Sequence, residues 1–419
     1  MRIILLLTTI LYLSGAFLIF RVHKTSGPGF GCYPNSCFVE KNAALLPREV
    51  FVYDRGGYDG QFYYYIAAGL YTGRDFVVDS ESFRLARIGL PILSGWTVLF
   101  YKDALFYTIP LIVFLFHLAG IVCIKNIYNN TGLTYIFALN PFSFLSFQLY
   151  LADGLAWSLA LIAFFFYKRV KANAATDFSL YVFFALLSIL TKETMILFFI
   201  SITVWKILDV TRDNVRANLS LHPFTKVFVP FVLILILPFA YYHVIGFTPG
   251  SVSSHGTFPF TGWIGYLSKS DSIFSGRSFL SLLLLASLFF SIYAGTKLLL
   301  TLIHSIQIVR NESQIYRGYA FWRNVQYTFY NDPRTKKFLS VEGILFMGGI
   351  AFVSLATAEE YWANFANIAR IFIPLYFAMI LLLRNSRVRF ALYAWSLLLC
   401  LLLIGRAFTP PPGSIRILP

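Results

Sequence analysis

The chain is 419 residues long, 58% hydrophobic and only 13% charged. That balance argues against a soluble globular domain, which could not cover its surface with polar groups. The net charge of +15 does not read as nucleic-acid binding, because the basic residues sit in short runs between apolar stretches.

Apolar stretches fall at roughly 3–20, 104–124, 132–151, 153–167, 178–191, 194–208, 227–245, 279–304, 341–357, 367–383 and 390–407. Most are long enough for a helix that crosses the bilayer's hydrocarbon, so the expectation is an all-α polytopic membrane protein of about eleven spans, built as a single domain over 1–419. Met1–Phe20 is long for a signal-peptide core and is followed at once by Arg21, His23 and Lys24, so it reads as an uncleaved first helix. The segment 88–101, opened by Pro91, is too short for a span and reads as a re-entrant or interfacial helix.

Four basic clusters orient the chain: Lys168 to Lys171, Lys206 to Lys226, the long loop 305–340, and Arg384 to Arg389. With eleven spans and a cytoplasmic N-terminus, all four lie on the cytoplasmic side. The opposite face then holds loop 21–103, the turns at Asp153 and at Lys192-Glu193, loop 246–278, and the turn at Glu359-Glu360. Loop 305–340 mixes Arg with Phe321, Trp322 and Tyr327, a composition suited to anionic lipid headgroups. Within loop 246–278, the segment 246–263 is rich in Gly, Pro and Ser and reads as a mobile lid. Cys32 and Cys37 flank a turn-rich segment and suit a small disulfide on an oxidising side, with two free thiols as the alternative.

Charges near membrane depth are costly and are usually functional or paired. On the outer face these are Asp54 and Asp59 with their tyrosine cluster, Arg84, Arg87, Asp153, Lys192, Glu193, and Glu359-Glu360 with Asn364, Asn367 and Arg370; Asp54 also fits a loop salt bridge with Arg55 or Arg48. Carboxylates beside Arg and Lys at an apolar–aqueous boundary suit a phosphate-bearing lipid: the cations hold the phosphate, and a carboxylate accepts a proton from an incoming hydroxyl. Each has a bland alternative. Asp153 fits a helix N-cap as well as a role orienting the acceptor, binding a metal or supporting Asp59. Arg84, Arg87 and Lys192 fit snorkelling as well as phosphate binding, with Glu193 there to neutralise Lys192. Tyr63, Tyr64 and Tyr65 fit packing as well as stacking on a sugar. For Arg370, one turn into an apolar span, phosphate binding is favoured over snorkelling.

The spacing Asp59-x-x-x-Tyr63-x-x-Ile66-Ala67 after a first apolar helix resembles the first-loop signature of GT-C glycosyltransferases, the polyprenyl-phosphate-sugar-dependent enzymes. These include the lipid A aminoarabinose transferase and the protein O-mannosyltransferases. Phe83 to Phe100 resembles the family's interfacial segment. Asn140-Pro141 followed by Leu151-Ala152-Asp153-Gly154 resembles its second acidic turn, and Thr191-Lys192-Glu193 its Thr-Lys-Gly turn, with Glu in place of Gly. The likeness covers roughly the N-terminal half. It implies that loop 21–103 is catalytic and that Asp59 is the base of an inverting sugar transfer. The donor would be a polyprenyl-phosphate-linked sugar, and the acceptor the hydroxyl of a glycan, lipid or protein at the outer face of a plasma or bacterial inner membrane. No cofactor is required by these motifs; a divalent metal is the one candidate. The rivals are a transporter or lipid flippase and a non-catalytic scaffold. The lack of an internal repeat and the charge gathered on one face argue against the first.

Overall fold

The computed structural model describes residues 1–23, 29–32, 37–47, 50–53, 57–169, 175–217, 222–247, 340–354, 378–383, 387–407 and 415–418, with scattered helical positions between 292 and 303. Over these residues the protein is helical apart from one two-stranded sheet and an isolated bridge. It forms two compact units: residues 1–195, 236–251 and 393–419 make the first, and 196–235 and 252–392 the second. Among the described residues one helical stretch, Lys102–Tyr128, is long and apolar enough to cross a membrane by length and composition; Arg2–Phe17, Gly89–Leu99, Thr176–Thr191 and Val229–Val244 are shorter apolar helices.

In the first unit, α1 (Arg2–His23) leads into the first loop. That loop contains the short α2 (Phe38–Lys41), strand β1 (Val50–Tyr53), α3 (Gly60–Thr72), α4 (Glu81–Leu85) and α5 (Gly89–Gly95). A 3-10 turn, Trp96–Leu99, extends α5. These pieces are too short to span, and they leave Ile92, Trp96, Leu99, Phe100 and Tyr101 exposed, an interfacial composition. Cys32 and Cys37 are joined by a disulfide.

The helices that follow are α6 (Leu105–Tyr128), α7 (Thr131–Ala138), α8 (Pro141–Leu149), α9 (Asp153–Arg169) and α10 (Ala175–Thr191). Asn129 closes α6 in the left-handed region, and the Asn130 side chain caps α7 by accepting from the Leu133 N–H at 3.0 Å. The stretch 132–151, expected as one span, is two helices. Asn140 precedes Pro141, which clashes with a helical residue before it and suits the first position of a new helix, so the chain breaks there. Helices α6, α9 and α10 pack side by side as the core of this unit. The Ser188 hydroxyl donates to the Ala156 carbonyl at 2.8 Å across α9 and α10. A Cβ on Gly154 would stand 2.9 Å from the Ser143 Cα, so that glycine lets α9 approach α8.

Strand β2 (Ile415–Leu418) pairs antiparallel with β1, Val50 opposite Leu418 and Tyr53 opposite Ile415. The Cys32 N–H also bonds the Tyr53 carbonyl at 3.0 Å. Cys32 and strand β2 therefore hold β1 from two sides, six residues before Asp59.

The second unit contains α11 (Ile196–Ala217), which packs against the helix Val341–Ser354. Helix α12 (His222–Val244) runs from the second unit into the first, as does the helix Arg389–Ala407. Arg370, Asn367, Glu359-Glu360, Asp54, the lid expected at 246–263 and the basic loop 305–340 lie outside the described residues, save Gly246, Phe247 and Ser340 at their edges.

Candidate functional site

The polar end of the first unit is built where α3, α4 and α5 meet the ends of α8, α9 and α10. Gly60 opens α3, and a Cβ there would collide with the Leu149 carbonyl and stand 3.0 Å from the Tyr150 Cβ. Gly89 in α5 packs in the same way on the Thr191 backbone at the end of α10. Only glycine allows these approaches, which bring the first loop down onto the bundle. The Tyr241 hydroxyl donates to the Leu85 carbonyl at 2.8 Å, and Tyr242 to the Ile189 carbonyl at 3.2 Å.

Asp59 occupies the N-cap position of α3, yet its side chain caps nothing there. Its carboxylate instead accepts from Arg84 Nη2 at 3.2 Å. Arg84 is held more firmly by Asp79, Nε to Oδ1 at 2.7 Å and Nη2 to Oδ2 at 2.6 Å, a bidentate fork. The Arg84 contact to Asp59 is the longer one, and the Asp59 side chain is 23% exposed. A partly exposed carboxylate of this kind suits a proton acceptor.

Arg87 makes a second fork with Glu193, Nε to Oε2 at 2.7 Å and Nη2 to Oε1 at 2.6 Å. This pair joins the first loop to the turn after α10. Burial opposes ionisation of Glu193, and Arg87 outweighs it, holding the carboxyl down at about 2. Burial likewise opposes the charge on Arg87 and on Arg84, and their carboxylate partners keep both guanidiniums more firmly protonated than usual. Each guanidinium also lies over an aromatic ring, Arg84 at 4.5 Å from Phe62 and Arg87 at 4.2 Å from Phe83.

The third pair is Lys192 with Asp153, both buried. Asp153 opens α9, but the Gly154 N–H donates to the Ser146 hydroxyl at 2.9 Å and the Asp153 carboxylate goes to lysine. The simple N-cap role does not describe it.

Glu193 was expected to neutralise Lys192; the Lys192 charge does help hold the Glu193 carboxyl down, but the bonded partner of Glu193 is Arg87, and Lys192 bonds Asp153. Arg84 and Arg87 do not snorkel, being buried and paired. Tyr63, Tyr64 and Tyr65 are all buried, so none offers a ring face for a sugar to stack on. Asp79 was missed. Its signal was the acidic residue of Asp79-Ser80-Glu81, one turn before Arg84, where Ser80 starts α4.

Among the described residues, Asp59, Asp79, Asp153 and Glu193 are paired with Arg84, Arg87 and Lys192. Comparison with protein-family models, with curated proteins and with solved structures gave no match.

Proposed function

We propose that the chain is a polytopic membrane glycosyltransferase that moves a sugar from a polyprenyl-phosphate carrier to an acceptor hydroxyl at the outer face of the membrane. The observation that carries this reading is the position of Asp59: a partly exposed carboxylate at a helix start, not used for capping, that accepts from the buried Arg84. Asp59 takes the proton as the acceptor hydroxyl attacks the anomeric carbon, and the bond to the carrier phosphate breaks with inversion. The leaving phosphate gathers negative charge, which needs a cation. Arg370 with Asn367 is the proposed phosphate ligand, because Arg84, Arg87 and Lys192 are already matched by carboxylates. Asp153 and Lys192 tie the start of α9 to the turn after α10, and Asp153 is the second proposed catalytic carboxylate. No metal is needed for these steps, and a divalent ion remains an optional addition.

The eleven-span topology belongs to the same proposal, with membrane lipids as the surround. Pairing of β1 with β2 supports it: the first loop and residues 415–418 lie side by side, so the chain between them crosses an even number of times. Ten of the eleven stretches fall in that interval. Helix α6 supplies a span of full length. A lipid transporter would also use a broken helix such as the one at Asn140-Pro141. The paired charges described above sit at helix ends and not at mid-helix, which favours chemistry over alternating access.

The test compares lipid-linked sugars, by mass spectrometry, in membranes of cells making the wild type, Asp59→Asn or Asp54→Asn. Asp59→Asn should reach normal protein levels yet leave the lipid-linked sugar unconsumed. Normal consumption by Asp59→Asn, with Asp54→Asn inactive, would move the base to Asp54.

A further inference from the structure

At the edge of the first loop two cations share a single acceptor. Helix α3 ends at Gly73, whose left-handed backbone turns the chain into Arg74. Lys102 opens the 3-10 turn, Lys102–Ala104, that leads into α6. Arg74 Nη1 donates to the Ala44 carbonyl at 2.7 Å, and Lys102 Nζ donates to the same oxygen at 2.8 Å. Arg74 is exposed and Lys102 half-buried, and most of their N–H donors are left over. Asp75 and Asp103 are their neighbours in sequence, yet among the described residues neither cation makes an ion pair. Asp103 accepts instead from the Tyr101 hydroxyl at 2.9 Å. Arg74 repels Lys102 more strongly than Asp103 attracts it, so the neighbouring charges leave a positive field at Lys102.

The chain runs into Lys102 through open apolar surface: Trp96, Leu99, Phe100 and Tyr101 are all exposed, Phe100 at 81%. The Tyr71 hydroxyl donates to the Ile92 carbonyl at 2.8 Å and ties the end of α3, before Arg74, to α5. Aromatic rings of this kind suit the headgroup region, where the ring meets lipid and its polar tip stays wet. The position of Lys102 selects the occupant. It is the first residue of the one described stretch long enough to cross a membrane, Lys102–Tyr128. Those 27 residues exceed the roughly 20 that the hydrocarbon requires, so in the proposed topology the stretch begins among the headgroups. There a cation pair meets lipid phosphate, whose oxygens accept charge-assisted bonds from arginine and lysine. We infer that Arg74 and Lys102, next to the apolar ridge Trp96 to Tyr101, hold the phosphate of an anionic phospholipid in the outer leaflet. This rests on the membrane topology proposed above and not on sugar transfer. No hydrogen bond or ion pair ties either cation to Asp59, Arg84 or Arg87 among the described residues, which favours a lipid of the surround over the carrier.

The purified full chain in detergent micelles containing phosphatidylglycerol and phosphatidylcholine would be read by native mass spectrometry for the lipid it retains. The wild type should retain phosphatidylglycerol in preference to phosphatidylcholine. Arg74→Gln and Lys102→Gln should each weaken that retention about fivefold, the weight of one basic residue at an anionic surface. Arg74→Lys keeps the charge and should keep most of the binding. Melting temperatures should match the wild type, because in each single variant the other cation still holds the Ala44 carbonyl. Arg387→Gln removes an equal charge from an exposed position in the second unit and should leave retention unchanged. An equal loss in Arg387→Gln would make the attraction a diffuse one and overturn the inference. Unaltered retention in both Arg74→Gln and Lys102→Gln would overturn it too. So would a polyprenyl phosphate that is retained in preference to phosphatidylglycerol and lost in those two variants, since the pair would then serve the carrier. No sugar is transferred in this experiment, so its failure is separate from a failure of Asp59→Asn to block turnover.

Discussion

Removing the charge of Glu193 should loosen the attachment of the first loop to the bundle. Glu193 is held at about 2 against an ordinary value of 4.5. That difference corresponds to about 3 kcal/mol of preference for the ionised, folded state. Arg87, left buried and unpaired in Glu193→Gln, gives a similar figure, since breaking a buried pair costs about 3–5 kcal/mol. The pH dependence has a definite sign. Because the folded value is depressed, the stabilisation is complete above pH 4.5 and is lost as the pH falls towards 2. Unfolding free energy from SDS titration of the purified chain would measure both effects. Glu193→Gln should lose about 3 kcal/mol at neutral pH and lack the acid step that this residue contributes. The double variant Arg87→Met, Glu193→Met should be more stable than either single one, because two matched apolar groups replace a pair that needed both partners. Wild-type stability in Glu193→Gln, or single losses that simply add in the double variant, would refute the reasoning.

Other outcomes follow from the same contacts. Lys192→Met leaves the buried Asp153 carboxylate without its lysine and should cost several kcal/mol in the same titration, largely recovered when Asp153→Asn is added. Gly89→Ala should destabilise by more than an ordinary surface change, because its Cβ meets the Thr191 backbone nitrogen at 2.8 Å; protease sensitivity of the first loop would rise with it. Deleting residues 415–418 removes the partner of β1 and should raise amide exchange over 50–53 while exchange in α9 stays unchanged.

The helical class was legible because long apolar runs without alternation leave little else. The break at Asn140-Pro141 was readable from the proline alone, yet the hydropathy run continued across it and masked the two helices. Asp59, Arg84, Arg87, Asp153, Lys192 and Glu193 were singled out because charges are rare in such a chain, and the fold does gather them at one end of the first unit. Their pairing was not legible. Lys192 and Glu193 are neighbours in sequence, but adjacent side chains at a helix end point in different directions, so each meets a partner far along the chain. Asp79 escaped notice because an acid in a polar loop looks solvated until the arginine it holds is seen to be buried.

Base catalysis by Asp59 is measured with the purified full chain in proteoliposomes loaded with a polyprenyl-phosphate-linked sugar and an acceptor extract. The free polyprenyl phosphate released is counted by mass spectrometry. The wild type should release it in step with glycosylated acceptor, and Asp59→Asn, with an unchanged melting temperature, should release at least about a hundredfold less, the usual weight of a general base. Release by Asp59→Asn at the wild-type rate would contradict the claim.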